Sequence, residues 1–235
     1  MRTLGVDLAS QARNTAICVV DWERRRVESV RVGVGDDAIV PLLRSGMTAG
    51  IDAPFGWPAR FVAAIAEWTE SGGWPEPWAP DRQPLLRLRE TDRWIARTIG
   101  KWPLSVSADS IATCAMRAAT LLDAAGHTDR VGGPVYEVYP GAALLRWGLQ
   151  SAGYKRDAAV RARLVDALGV GGDRDELART DHALDALLCA IVARAAALGL
   201  TERPPAELDA AIVAREGWIH LPHEGSLRTL HTAGP

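Results

Sequence analysis

The sequence has few cysteines, the residues that form the disulfides of exported domains and bind structural metal ions. Its 235 residues contain three cysteines, Cys18, Cys114 and Cys189, far apart and without a Cys-x-x-Cys pair. This spacing predicts neither a disulfide framework nor a zinc or redox centre. No run of about 18 apolar residues is present, and Asp7 falls where a signal peptide would be apolar. We therefore expect a cytoplasmic protein that does not enter a membrane.

The chain also lacks a large excess of either charge. Its formal net charge is -2, which excludes a protein coated with positive charge, although a local basic groove remains compatible. Lysine is scarce, since 25 of the 27 basic residues are arginine and only Lys101 and Lys155 are lysine. Arginine binds phosphate or carboxylate with two hydrogen bonds, but a GC-rich coding bias produces the same excess. The arginine content therefore assigns no function by itself.

With 48% hydrophobic and 24% charged residues, the composition is typical of a folded globular protein. Apolar alternation and β-branched residues predict three short strands, forming an antiparallel meander, then a helix and a fourth strand ending near Ala53. A fifth strand is expected at 135–139, and helices follow, with a terminal strand or a tail at 217–221. The order of elements predicts an α/β fold with a mixed sheet and helices on its faces.

The segment between Pro54 and Pro103 differs in composition from the rest of the chain. It contains seven of the fourteen prolines and six of the nine tryptophans, which predicts loops and short helices instead of regular strands. We expect one domain over residues 1–235, enlarged by a helical insertion at about 54–133.

Two aspartates end strands of matching sequence, Gly5-Val-Asp7 and Gly50-Ile-Asp52. Each alone could cap a turn. If the two strands are adjacent, however, the carboxylates of Asp7 and Asp52 lie side by side and repel each other unless a cation stands between them.

Three further acids occupy positions that packing alone does not favour. Glu137 lies among aromatic and β-branched residues of the fifth strand, where the alternative is an exposed position on an edge strand. Asp181 and Asp185 are four residues apart on one side of a helix. Asp181 has an alternative role as a first-turn acid stabilised by the helix dipole. Oxygen ligands of this kind select Mg²⁺ or Mn²⁺, and such clusters hold two ions about 3.5 to 4 Å apart that activate water for attack on a phosphodiester.

The chain resembles domain-of-unknown-function family 429, described as predicted nucleases of the ribonuclease H-like superfamily. The motifs that carry the resemblance are Gly5-Val-Asp-Leu-Ala-Ser, Gly50-Ile-Asp-Ala-Pro-Phe-Gly-Trp-Pro, Arg89-Glu-Thr-Asp-Arg-Trp, Tyr136-Glu-Val-Tyr-Pro, Asp181-His-Ala-Leu-Asp-Ala and Glu216-Gly-Trp-Ile. The resemblance implies a ribonuclease H-like fold, with a five-stranded mixed sheet that begins with an antiparallel meander. It also implies that Asp7, Asp52 and Asp185 bind metal, with Glu137 or Asp181 completing the set.

The Arg89-x-Thr-Asp-Arg segment supplies candidates for binding substrate. Arginines four residues apart could present two guanidinium groups to a phosphate, and a tryptophan could stack on an unpaired base. The alternative is that the tryptophans pack an irregular insertion and that Asp92 pairs with an arginine. The residues assigned to substrate binding are Arg89, Thr91, Asp92, Arg93 and Trp57, with Trp74 and Trp78 as further stacking candidates.

These observations predict a Mg²⁺- or Mn²⁺-dependent nuclease acting on nucleic acid or a nucleotide, with Asp7, Asp52, Glu137 and Asp185 as catalytic residues. One alternative is an ATP-binding phosphotransfer protein of the actin/hexokinase-like superfamily, which shares this sheet. Another is a non-catalytic nucleic-acid-binding module with the same fold. The sequence leaves open whether the protein forms a homodimer.

Overall fold

The computed structural model describes residues 1–75, 80–107 and 111–232. A five-stranded sheet has the order β3-β2-β1-β4-β5. Its strands are β1 (Arg2–Asp7), β2 (Ala16–Asp21), β3 (Arg26–Val32), β4 (Thr48–Asp52) and β5 (Val135–Glu137). The first three strands pair antiparallel, whereas β4 pairs parallel with both β1 and β5. The predicted α/β fold, a mixed sheet that starts with an antiparallel meander, is confirmed.

Helices lie on both faces of this sheet. They are α1 (Asp36–Arg44), α2 (Ala59–Ser71), α3 (Gln83–Arg87), α4 (Glu90–Ile99), α5 (Ala112–Ala125), α6 (Pro140–Arg146), α7 (Ala158–Leu168), α8 (Arg174–Arg179), α9 (Asp181–Ala197), α10 (Ala210–Glu216) and α11 (Ser226–Thr232). In chain order, the helices from α2 to α5 lie between β4 and β5, and they include the segment rich in proline and tryptophan. Among the described residues, no helix is long and apolar enough to cross a membrane.

The central helix is α9, which packs across β1, β2 and β4. Thirteen of its 17 residues are buried, so it is apolar nearly all round, as expected of a helix enclosed by other elements. Leu4, Val6 and Ile51 point to the opposite face of the sheet, where they meet α1 and α5. Because side chains alternate along a strand, the residues between them, including Asp7, face α9.

Some element boundaries differ from those predicted. The boundary between α8 and α9 lies at Thr180, which has extended backbone angles and accepts a hydrogen bond from the amide of Ala183. This side-chain cap starts α9 as a separate helix. The fifth strand ends at Glu137, two residues before its predicted end. The stretch at 217–221 is a packed tail that touches the sheet through one bridge, from Ile219 to Glu137.

Candidate metal centre

Asp7 and Asp52 lie side by side at the ends of neighbouring strands. The parallel pairing of β1 with β4 places Asp7 opposite Asp52 and Gly5 opposite Gly50. The third carboxylate is that of Asp185, and each of the three offers an oxygen within 4.8 Å of the other two. Asp7 and Asp185 are buried, while Asp52 is partly open to solvent. The structure thus brings three of the acids predicted from the sequence into one cluster.

Two glycines allow Asp185 to reach this cluster. A Cβ atom on Gly5 would lie 1.8 Å from the carbonyl oxygen of Ala186, and one on Gly50 would lie 2.3 Å from that of Cys189. The backbone of α9 therefore rests directly on the backbone of β1 and β4. Because glycine and aspartate are two residues apart on each strand, they share a face, and the close approach of α9 sets the third acid beside the other two.

The three carboxylates differ in the partners they have. The Tyr154 hydroxyl donates to Asp185 Oδ1 at 3.0 Å, and Lys155 Nζ donates to Asp185 Oδ2. Asp7 Oδ2 bonds the Nδ1 atom of His182 at 2.6 Å. Within the described residues, no group hydrogen-bonds to the carboxylate of Asp52. Both oxygens of Asp52 are therefore available to an external ligand.

Burial and mutual repulsion perturb the ionisation of the cluster. The pKa of Asp52 lies well above its usual value, first because of desolvation and then because of the charges of Asp7 and Asp185. Desolvation also raises the pKa of Asp185 to about 6, although Lys155 opposes the shift. The pKa of His182 is raised, chiefly by its hydrogen bond to Asp7. A nearby cation would stabilise the ionised form of these acids.

Glu137 lies in a separate buried ion cluster. Its Oε1 and Oε2 accept from the guanidinium of Arg89 at 2.7 and 2.8 Å, and Oε2 also accepts from the amide of Phe55 at 2.9 Å. Only 2% of Glu137 is exposed, so the alternative of an exposed position on an edge strand is wrong. Desolvation raises the pKa of Glu137, and Arg89 offsets part of the shift. Glu137 does not belong to the group formed by the three aspartates.

Arg89 is the centre of this second cluster. It donates to both oxygens of Asp92, to both oxygens of Glu137 and to the carbonyl of Glu216. These five bonds use all five N–H groups of a guanidinium, and Arg89 is 2% exposed. No N–H group of Arg89 remains to bind a phosphate, although phosphate binding is the role that the sequence predicts for it. The alternative reading of Asp92, as the partner of an arginine, agrees with these contacts.

The other predicted residues have different surroundings. Thr91 is buried and accepts from the amide of Ile219 at 2.9 Å. Arg93 donates to the carbonyl of Leu88 and to Glu90. Asp181 contacts Lys155 Nζ at 3.6 Å. None of these three belongs to the aspartate cluster.

The tryptophans proposed as stacking residues are spread over the segment. Trp57 lines a cavity of about 450 Å³ against α2, together with Arg130 and Arg215. Trp74 packs edge-on against Trp68, with ring centroids 6.4 Å apart. Trp78 lies outside the described residues. The structure brings neither Trp57 nor Trp74 to the aspartate cluster.

The model of a protein family described as "Protein of unknown function (DUF429)" matches residues 5–210. The chain belongs to this family. No curated protein and no solved structure gives a match. The matched region of this DUF429 protein contains Asp7, Asp52 and Asp185, together with Glu137 and Arg89.

Sequence reasoning missed several polar residues that this structure places at the site, namely Tyr154, Lys155 and His182. Tyr154 and Lys155 precede α7, in a segment whose sequence contains no acid-rich motif. One signal was available, because Lys155 is one of two lysines in a chain that otherwise uses arginine. The second lysine, Lys101, also lies nearby, with Nζ 5.3 Å from the ring centroid of Tyr139.

A cavity of about 240 Å³ opens beside the aspartate cluster of the DUF429 protein. Asp52 forms part of its wall, and Arg89, Asp92 and Glu137 contribute the other charged groups. Most of the remaining lining is apolar, and consists of Leu8, Ala53, Pro54, Pro103, Leu104, Ile111, Cys114, Val138, Tyr139 and Ile219. The cavity therefore joins the two ion clusters of the molecule.

Proposed function

We propose that the chain is a Mg²⁺- or Mn²⁺-dependent phosphodiesterase acting on nucleic acid or a nucleotide. The observation that carries this proposal is the cluster of Asp7, Asp52 and Asp185, whose oxygens lie within 4.8 Å of one another. Three carboxylates in such a small volume repel one another, and two of them have raised pKa values for that reason among others. A cation would relieve this repulsion.

The donor atoms fit a hard divalent cation. All three groups offer carboxylate oxygen, which suits Mg²⁺ and Mn²⁺ better than zinc or copper. Asp52 would offer both oxygens, because they have no partner among the described residues, and Asp7 and Asp185 would complete the set. A divalent cation held there would polarise a phosphate oxygen and lower the pKa of a water molecule.

Neighbouring side chains have supporting roles in this proposal. His182 holds Asp7 in place through Nδ1, and Tyr154 does the same for Asp185. Lys155 neutralises part of the cluster, and half of its side chain is exposed, so its ammonium group can also contact a phosphate of the substrate. Glu137 has a structural role in this proposal, since Arg89 and Phe55 occupy its oxygens.

The order of the strands supports a ribonuclease H-like architecture. The acid-bearing strands β1 and β4 are adjacent and parallel near the middle of the sheet, and the third acid lies on α9, a long helix packed over both. This is the arrangement that the family resemblance implies, and it accounts for the positions of all three acids. We propose this superfamily assignment on that basis.

The proposal is tested by metal-dependent cleavage. Purified protein is incubated with Mn²⁺ or Mg²⁺ and labelled single-stranded, duplex, hybrid and branched substrates, beside Asp52→Asn. The exposed acid Asp123 on α5 supplies a matched control, Asp123→Asn. We expect cleavage by the wild type and by the control but not by Asp52→Asn. Absence of cleavage on every substrate, together with no rise in melting temperature when Mn²⁺ is added, would refute the proposal. A melting shift with ATP alone would favour the phosphotransfer alternative.

A further inference from the structure

The cavity beside Asp52 has the size and lining of a site for one flat, mostly apolar group. Its volume of about 240 Å³ is below the roughly 300 to 1,000 Å³ of pockets that hold drug-sized ligands. Apolar side chains from three parts of the chain form its walls, among them Pro54, Ile111 and Ile219. Leu104 also lines it, and is 59% exposed. Covering this apolar opening with an aromatic ring is favourable, because it removes apolar surface from water.

The polar groups of the cavity are mainly acceptors. Asp52, Asp92 and Glu137 contribute carboxylates, but those of Asp92 and Glu137 are buried and already accept from Arg89. Of the three, Asp52 is the one whose oxygens have no hydrogen-bond partner within the described residues. The hydroxyl of Tyr139 is the other polar group, and within the described part of the chain it makes no hydrogen bond. The carboxylate of Asp52 would repel a phosphate that entered the cavity, whereas an N–H donor on a ring could bond to its free oxygen.

The cavity also shares a wall with the proposed metal centre. Asp52 belongs to both, so a group in the cavity lies next to any phosphate bound at the aspartates. In a nucleic acid, the group found next to a phosphate and able to fill an apolar pocket is a base. A paired base cannot enter such a pocket, because its edge and both its faces are covered in the duplex.

We propose that this cavity binds one unpaired nucleobase carrying an amino group, such as adenine or cytosine, next to the phosphate that is cleaved. This inference rests on the proposed function for the role of the base, but base binding itself needs no metal. It predicts that single-stranded or flipped-out nucleotides are the substrates and that intact duplex is cleaved poorly.

Cys114 provides a reporter inside the cavity. It is partly exposed and lines the wall, whereas Cys18 and Cys189 are fully buried. Alkylation of wild-type protein with a maleimide, without metal, is followed by mass spectrometry in the presence of adenosine, cytidine, uridine, ribose or inorganic phosphate. We expect adenosine and cytidine to slow labelling of Cys114 several-fold, uridine to slow it less, and ribose and phosphate to leave it unchanged. Equal labelling in all samples, or protection by ribose or phosphate alone, overturns the proposal.

A variant that fills the cavity gives a second readout. Leu104→Trp places a larger ring at the exposed mouth, and Leu145→Trp is its matched control, because Leu145 is 44% exposed on α6 and does not line the cavity. Saturation-transfer NMR should detect adenosine on the wild type and on Leu145→Trp, with the signal lost in Leu104→Trp. Equal signal from both variants contradicts this site.

The two proposals fail in different ways. Melting curves with Mn²⁺ are recorded on the same samples. A Mn²⁺ shift without base protection refutes the base site and leaves the metal centre standing. Base protection without any Mn²⁺ shift or cleavage supports the cavity and refutes the phosphodiesterase proposal.

Discussion

Gly5 and Gly50 lie opposite each other on β1 and β4, and neither position has room for a methyl group beneath α9. A Cβ at Gly5 would meet the carbonyl oxygen of Ala186 at 1.8 Å, and one at Gly50 would meet that of Cys189 at 2.3 Å. The pair explains why each aspartate follows a glycine by two residues. The glycines allow the backbone of α9 to approach the sheet, and this approach places Asp185 of α9 beside Asp7 and Asp52.

Replacing Gly50 with alanine should push α9 away from the sheet. Overpacking a tight core typically costs about 1 to 3 kcal/mol, and the obstacle here is backbone, which cannot rotate aside. We expect Gly50→Ala to lower the free energy of unfolding by about 3 kcal/mol in urea titrations. Gly73→Ala is the control, since its Cβ would meet only a serine hydroxyl at 3.4 Å. Equal stability of the two variants would show that α9 does not rest on the strand as described.

The Asp52→Asn variant should be more stable than the wild type without metal. Asn keeps the shape of the side chain but removes a charge that Asp7 and Asp185 repel. A gain of about 1 kcal/mol corresponds to a rise of roughly 2 to 4 °C in melting temperature for a chain of this size. The same variant should lose most of the shift caused by Mn²⁺, which differential scanning fluorimetry measures. Asp123→Asn should change neither quantity, and destabilisation by Asp52→Asn would indicate a purely structural acid.

In the metal-free protein, the contribution of the aspartate cluster to stability should fall as the pH rises from 5 to 8. The folded-state pKa of Asp185 is about 6, above its usual value of 3.8. Between these values the folded state therefore holds a proton that the unfolded state has released. The raised pKa of His182 acts in the same direction, because its contribution is lost as the pH passes the folded-state pKa. Thermal unfolding at several pH values checks this slope, and Asp52→Asn should flatten it. Because burial lowers the pKa of His220 to about 4 and so acts in the opposite direction in both proteins, the two slopes are compared. A wild-type melting temperature that falls no more steeply than that of Asp52→Asn would contradict the pKa assignments.

Lys155 should compete with a metal ion for the aspartate cluster. Its ammonium group bonds Asp185 and lies 3.6 Å from Asp181, so its removal leaves the cluster more negative. We expect Lys155→Met to bind Mn²⁺ roughly tenfold more tightly, which is about 1.4 kcal/mol, in isothermal titration calorimetry. Cleavage should nevertheless decline if the ammonium contacts substrate phosphate. Arg156→Met, at the exposed neighbouring position, controls for the loss of any one positive charge. Unchanged Mn²⁺ affinity in Lys155→Met would separate this lysine from the metal centre.

The sequence was sufficient for those parts of the fold and site that depend on local pattern. Alternating apolar residues predicted the meander, and the repeated Gly-x-Asp pattern singled out Asp7 and Asp52. The spacing of Asp181 and Asp185 predicted one helical face, and the family resemblance implied Asp185 as a ligand, with Asp181 left as an alternative to Glu137. Packing distinguishes the two aspartates, since Asp185 is fully buried and Asp181 lies at the first turn of α9.

Contacts between distant residues could not be predicted in the same way. Arg89 and Glu137 are 48 residues apart, and no local pattern indicates that one arginine would use all its donors on two acids. Sequence reasoning assigned Arg89 to phosphate binding, because a guanidinium forms paired hydrogen bonds with a phosphate as it does with a carboxylate. Lys155 was missed for a similar reason, as its partner Asp185 lies 30 residues further on.

Glu137→Gln should separate a structural acid from a metal ligand. Breaking a buried ion pair by removing one charge usually costs about 3 to 5 kcal/mol, and here the loss would leave Arg89 with a single buried counter-charge on Asp92. We therefore expect a large fall in stability by urea titration, while the Mn²⁺ shift of the folded fraction persists. Adding Arg89→Met to this variant should lower the stability further, because the buried carboxylate of Asp92 would then lose its arginine partner. Loss of the Mn²⁺ shift with stability unchanged would instead make Glu137 a ligand, which is one of the two alternatives, Glu137 or Asp181, that the family resemblance implies.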